Sequence, residues 1–315
     1  MNLAMNLGYL VLDASGARNA SRLLRATPLT VAGDPALLRE LQEAGARVAA
    51  SPSALASGCD VLFASAPDAA ALRNALVGAE GLAPALRRGT LIVDQGPGSP
   101  TSTRELAREL SQRGLGLVDA PVHAETWSDE RADGAILFGG ADDHFAQLRP
   151  LLEKTCVTLV HCGPVGCGHA ARLVTTTLAA CNRLITCEVA SVGFKQGLAA
   201  NDMATVLNRS SGANSASERA LPVLGSGSRT TDMGLAEAVR DLRLASRAAA
   251  EFGSPMLIGN LARSLFESAA NQMGESAGLD DIARLYEAMA PSVSRPPESF
   301  DPGLNFSPPS RRRRG

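Results

Sequence analysis

Short apolar runs and helical periodicities alternate through the first half of the chain. β-like runs fall at Leu7–Leu12, Leu29–Val31, Val61–Phe63, Leu91–Asp94, Leu115–Val118, Ile136–Phe138 and Val157–Val160. Between them, apolar positions recur at helical spacing over Ala17–Ala26, Pro35–Ala44, Ala69–Leu76 and Thr101–Arg113. Asp34 followed by Pro35 marks a helix start: an acid able to cap, then a proline where no N–H is needed. Short runs that are apolar throughout fit strands buried on both faces, so the pattern predicts a parallel sheet covered by helices on both sides. Right-handed crossovers make it a doubly wound α/β sheet, with its ligand crevice at the carboxyl ends of the strands.

After Gly168 the period changes. From His169 to about Phe194 the apolar spacing stays helical for far longer than an ordinary helix. Helical segments follow at Ala200–Asn208, Leu235–Phe252, Pro255–Gln272 and Asp280–Ala290, and no strand pattern occurs in 169–290. The expected organisation is a sheet domain over 1–163 and an all-helical domain over 164–290, joined by the long helix. Residues 291–315 hold six prolines, Arg295, Arg311–Arg314, and only Glu298 and Asp301 as acids. They read as a disordered, basic appendage.

Composition narrows the class. The chain has 315 residues, enough for two domains, with 45% hydrophobic and 20% charged residues. Aromatics make up 3%, so Ala, Leu and Val must fill the core. No apolar run reaches the roughly 18 residues of a membrane span, and the N-terminus has no basic signal region. Cysteines 59, 156, 162, 167, 181 and 187 form no C-x-x-C pair and read as free thiols, with no metal site expected. A net charge of -2 disfavours nucleic acid as a partner. A cytoplasmic protein without membrane attachment is expected.

A dinucleotide fold needs a glycine-rich turn between its first strand and helix, where backbone N–H groups meet a diphosphate. Here the turn reads Val11-Leu12-Asp13-Ala14-Ser15-Gly16, keeping only the third glycine of G-x-G-x-x-G. Val11 crowds the turn, and Asp13 brings a carboxylate to it. Two like charges about 4 Å apart at an effective dielectric near 20 repel by about 4 kcal/mol, so Asp13 is expected to weaken diphosphate binding. Gly166-Cys167-Gly168-His169-Ala170-Ala171 matches the string better, but no second parallel strand follows, so it reads as a domain-junction turn. Asp34, after the second strand, either accepts a ribose hydroxyl, which favours NAD over NADP, or only caps a helix.

Asp119-Ala120-Pro121-Val122, Gly139-Gly140, His161 through Gly168 and Arg240-Asp241-Leu242 stand in an order that resembles the β-hydroxyacid dehydrogenases, over nearly all of 7–290. That family includes 3-hydroxyisobutyrate dehydrogenase and tartronate semialdehyde reductase. The resemblance implies an N-terminal Rossmann-type domain, an interdomain helix, an all-helical C-terminal domain and a homo-oligomer. It also implies NAD or NADP as cofactor, a small-molecule substrate, and cofactor contacts at Leu12, Asp13, Ala14, Ser15, Gly16, Asp34, Pro67, Gly96 and Arg240.

The catalytic positions depart from the family pattern. Its usual serine after Asp-Ala-Pro-Val is His123, followed by Ala124 and Glu125 instead of two glycines. Its catalytic lysine is Arg172, its paired asparagines are Thr175 and Thr176, and its later-helix lysine is Arg240. The stretch after the fourth long strand reads Asp94-Gln95-Gly96-Pro97. Arginine cannot give up its proton near neutral pH, but it can clamp a carboxylate or polarise a carbonyl. His123 is then the candidate for the proton step, unless it merely meets solvent on its loop. Arg172, His123 and Thr176 form the expected catalytic set. Glu125 and His169 are further titratable candidates, with His169 three residues before Arg172 and roughly on its helix face. His144 and His161 are assigned to the surface and the junction. The function expected is hydride transfer on a small hydroxy or carbonyl compound. The alternatives are a catalytically silent scaffold and an imine-reductase-like activity.

Overall fold

The computed structural model describes residues 5–127, 132–224, 228–231, 233–274 and 276–289. The chain opens with β1 (Leu7–Val11), α1 (Ala14–Ala26), β2 (Thr30–Gly33), α2 (Pro35–Glu43), β3 (Arg47–Val48) and α3 (Pro52–Gly58). There follow β4 (Val61–Ser65), α4 (Ala69–Val77), β5 (Leu91–Asp94), α5 (Pro100–Gln112) and β6 (Gly116–Asp119). The sheet ends with β7 (Val122–Trp127), β8 (Ala132–Gly139), α6 (Asp142–Leu152) and β9 (Cys156–Gly163). Its order is β3-β2-β1-β4-β5-β6-β8-β7, with β9 also paired to β8.

Strand alternation builds the two faces of this sheet. Tyr9 and Val11 point to one side, where Ala20, Leu23, Leu38, Leu41 and Leu148 of α1, α2 and α6 cover them. Leu10 points to the other, against Leu55, Leu72, Leu76 and Leu106 of α3, α4 and α5. The helices start where side chains can take over their unpaired N–H groups. Asp13, Asp34, Ser51, Asp68 and Ser99 each accept such a bond at the head of α1 to α5. Each cap is worth about 1 kcal/mol.

The doubly wound sheet is therefore present, with one correction to an all-parallel reading. β8 runs antiparallel to β6 and β7. β3, α3 and β7 had no apolar signature: β3 has two exposed residues, α3 is brief, and β7 is an end strand whose sequence, Val-His-Ala-Glu-Thr-Trp, is not an unbroken apolar run.

α7 (Cys167–Lys195), of 29 residues, begins the helical region. α8 (Ala200–Asn208), α9 (Leu235–Glu251), α10 (Leu257–Met273) and α11 (Ala283–Met289) follow. Among the described residues the strand-like feature of this region is a single bridge, Gly234 to Gly278. Packing divides the chain into two units. One comprises residues up to Cys181 with Thr230–Leu279, and the other Asn182–Arg229 with the residues from Asp280 on. The second unit packs Ala190, Phe194, Met203, Ala204 and Leu221 together, and Arg183 Nη1 donates to Asp280 Oδ1 at 2.6 Å. The expected tail over 291–315 lies outside the described residues.

Gly33 sits at φ +145°, and a Cβ there would lie 1.8 Å from the Val11 carbonyl oxygen. Gly33→Ala is expected to lose about 2 kcal/mol or more of stability, read as a lowered thermal midpoint. An unchanged midpoint would refute this contact.

Candidate functional site

The strand order reverses between β1 and β4, so the crevice of the sheet opens at their carboxyl ends. There the Leu12 N–H donates to the Ser65 carbonyl at 3.1 Å. Asp13 Oδ1 accepts from the Gly16 N–H at 2.6 Å and from Ser65 Oγ at 2.9 Å. The carboxylate thus folds back onto its own helix and bridges the switch point. Its charge stays at the head of α1, while helix geometry leaves the N–H groups of Ala14 and Ser15 for another anion. A Cβ at Gly16 would lie 3.0 Å from both Asp13 Oδ1 and Ser65 Cβ, so the turn needs its surviving glycine.

Asp34 Oδ1 accepts from the Ala36 N–H at 2.9 Å, so the side chain caps α2. Pro67 is exposed just beyond β4. These groups fit a dinucleotide. At Gly16 and Gly33 a Cβ would crowd its neighbours, the Ala14 and Ser15 N–H groups stand in the first turn of α1, and the Asp34 carboxylate follows β2.

A buried polar cluster lies under the ends of β5 and β6. Asp119 is fully buried; its two oxygens accept from the N–H groups of Gly166 at 2.6 Å and His169 at 2.7 Å. The glycine turn at 166–168 does bind an anion, and that anion is the protein's own. The His169 ring is fully buried, with Nδ1 2.8 Å from Thr103 Oγ1 and Nε2 3.1 Å from the Gly96 carbonyl. The Gly96 N–H donates to Asp94 Oδ1 at 3.0 Å. Burial pushes the Asp94 carboxyl up to about 6, against the opposing pull of His169 and the Gly96 N–H. Tyr9, stacked on Phe63, donates its hydroxyl to Gln95 at 3.0 Å.

On α7, Arg172 is buried, and its Nη2 donates to Asp241 Oδ2 on α9 at 2.8 Å, with Glu237 3.7 Å away. One turn on, Thr176 is buried too. Arg172 Nε, Asp241 Oδ1 and Thr176 Oγ1 are buried polar atoms without a hydrogen-bond partner. Arg240 is partly exposed, 3.9 Å from Glu237. His169 and Arg172 therefore serve different elements, the first the strand ends and the second α9. His123 is half-buried and lies within strand β7, opposite Ala135, rather than on a loop; Glu125 shares that strand. His161 stacks on Phe145 at the β9 junction and bonds the Gly140 carbonyl at 2.8 Å, and His144 is on α6.

Residues 24–163 match the NAD binding domain of 6-phosphogluconate dehydrogenase, and 166–286 match the NAD-binding domain of NADP-dependent 3-hydroxyisobutyrate dehydrogenase. The mitochondrial 3-hydroxyisobutyrate dehydrogenase of Drosophila melanogaster is 30% identical over 299 residues, covering 91% of this chain and 90% of the relative. The Mus musculus enzyme is 30% identical over 239 residues, covering 74% and 71%. The chain belongs to the β-hydroxyacid dehydrogenase family. A solved Mycobacterium tuberculosis 3-hydroxyisobutyrate dehydrogenase shares the fold at a TM-score of 0.80 and 22% identity, covering 90% of this chain and 99% of that one. The β-hydroxyacid dehydrogenases are NAD(P)-dependent oxidoreductases, and this is the chain's class. The first domain match begins at Leu24, beyond the altered turn at 11–16.

Sequence reasoning missed Ser65 as a partner of Asp13, Thr103 as a partner of His169, and Asp241 as the counter-charge of Arg172. Each pair is separated by dozens of residues, and no local spacing announces it. The Arg240-Asp241-Leu242 landmark held the one available signal.

Asp13→Asn keeps a capping side chain and removes the charge. It is expected to tighten NADH binding about tenfold or more by calorimetric titration, since a like charge at the helix head is relieved. An unchanged Kd would show that Asp13 does not oppose the diphosphate.

Proposed function

We propose that the protein transfers hydride between a nicotinamide dinucleotide and a small hydroxy or carbonyl acid, with Arg172 as a fixed cation that binds rather than titrates. The observation carrying this reading is the buried set of unpartnered atoms on α7 and α9: Arg172 Nε, Thr176 Oγ1 and Asp241 Oδ1. Buried polar atoms left unpaired cost about 1–3 kcal/mol each, so such a set fits a polar group arriving from outside. A carboxylate or carbonyl oxygen would accept from Arg172 Nε and Thr176, and a substrate hydroxyl would donate to Asp241. Asp241 already locks Arg172 in place, which spares the reaction the entropy of ordering a long side chain.

A bound nicotinamide would supply the hydride donor or acceptor. The hydroxyl proton needs another group, because arginine keeps its own. His123, half-buried on β7, is the residue proposed for it. Asp34, just after β2, would accept a ribose hydroxyl and oppose a 2′-phosphate, which favours NAD over NADP.

A silent scaffold is the second reading, favoured by the self-capped Asp13–Gly16 turn. Assay of small 3-hydroxy acids with NAD and NADP separates the two. Arg172→Ala is expected to raise KM for substrate at least tenfold, and His123→Ala to lower kcat about 10²–10⁴-fold. No turnover together with no heat from NADH or NADPH would leave the scaffold reading alone.

The protein is proposed to be a homo-oligomer. Val174 and Leu178 of α7 and Leu257, Ile258 and Leu261 of α10 expose large apolar side chains, and Gly259 approaches Thr177 where these helices meet. Leu178→Glu with Leu261→Glu is expected to yield a monomer by sedimentation equilibrium; an unaltered mass would refute that face as the contact. None of the described helices is long and apolar enough to cross a membrane. All six cysteines are free, which supports the proposed cytoplasmic location, although the relatives above include mitochondrial enzymes.

A further inference from the structure

α9 turns two acids toward a single buried cation. Glu237 and Asp241 stand one helical turn apart and share a face of the helix. Both approach Arg172 Nη2 on α7, Asp241 Oδ2 at 2.8 Å and Glu237 Oε1 at 3.7 Å. Their surroundings differ. Asp241 is fully buried and holds the guanidinium by a hydrogen bond. The Glu237 side chain is 28% exposed, and 3.7 Å is too long for such a bond. Arg172 is therefore anchored without Glu237, which adds negative charge rather than a tether. The same Glu237 oxygen lies 3.9 Å from Arg240, whose side chain is 38% exposed. Two guanidiniums and two carboxylates thus meet in one cluster, and their formal charges cancel before a substrate arrives.

We propose that Glu237 is a specificity-determining residue, which lets the site accept small hydroxy acids with one carboxylate and reject those with two. The inference rests on the reading of Arg172 as the cation that takes a substrate carboxylate. Arg172 Nε is buried and without a partner, so a carboxylate accepting from it stands on the guanidinium that Asp241 and Glu237 already face. One incoming charge has Arg172 to meet it. A second has only Arg240 within the cluster, and Glu237 stands beside that guanidinium too. Placing an acid where the wrong ligand would bring another is a direct route to selectivity, because it weakens one partner more than the other. Like charges repel strongly at such range when partly withdrawn from water.

3-Hydroxybutyrate and malate decide it, since they differ by a methyl against a carboxylate on the carbon bearing the hydroxyl. Their Kd values are measured by calorimetric titration of the full chain with NADH present, so that neither acid is turned over. The wild type is expected to prefer 3-hydroxybutyrate by about tenfold or more. Glu237→Gln keeps the size of the side chain and is expected to reduce that preference about tenfold. Arg240→Gln removes the cation that offsets Glu237 and is expected to enlarge it about threefold. A purely structural role would move both Kd values together and leave their ratio fixed. Equal Kd values in the wild type, a ratio unmoved by Glu237→Gln, or a ratio moved the same way by both variants would overturn the proposal. If neither acid binds, or if Arg172→Ala leaves 3-hydroxybutyrate binding as it was, the Arg172 reading itself falls and takes this one with it.

Discussion

Asp119 is the constraint on which the arrangement turns. Its carboxylate leaves the end of β6, enters a fully buried space, and takes the N–H groups of Gly166 and His169 at the head of α7. An ionised acid without those donors would be costly to bury, and a helix head without an acceptor would leave its N–H groups orphaned. Each solves the other's problem. The result fixes where a 29-residue helix departs from the sheet, and hence where Arg172 and Thr176 stand. The glycines at 166 and 168 follow from the same contact, since a Cβ at Gly168 would lie 2.2 Å from the Leu137 carbonyl oxygen.

The same device recurs at α1. There Asp13 occupies part of the helix head that a dinucleotide fold ordinarily offers to a diphosphate. The molecule thus fills two anion-binding helix termini with its own acids, one wholly and one in part. At α7 this is structural. At α1 the Asp13 carboxylate takes the Gly16 N–H and the Ser65 hydroxyl, and the Ala14 and Ser15 N–H groups stand beside it.

A parallel logic governs the buried positive charge of Arg172. Arg172 is a permanent cation in a buried site, tolerable because Asp241 lies 2.8 Å away. Where a lysine could hold or release a proton as its surroundings dictate, this chain places a cation that cannot. The binding role proposed for Arg172 and the proton-transfer role proposed for His123 fall on different elements, α7 and β7.

Much of this was legible along the chain. Unbroken apolar runs, capped helix starts such as Asp34-Pro35 and the change of period after Gly168 determined the doubly wound sheet and the helical region behind it, because burial and backbone hydrogen bonding act at short range. The identities at 13, 123 and 172 likewise marked where the chain departs from the family pattern. The tertiary structure alone decided the partners: Asp13 with Ser65, His169 with Thr103 and Gly96, Arg172 with Asp241. It also turned His123 from a loop residue into a strand residue and set β8 antiparallel to its neighbours β6 and β7. Those outcomes depend on which side chains meet across the fold, and the energy of a buried charge is set by what surrounds it in space, which spacing along the chain does not encode.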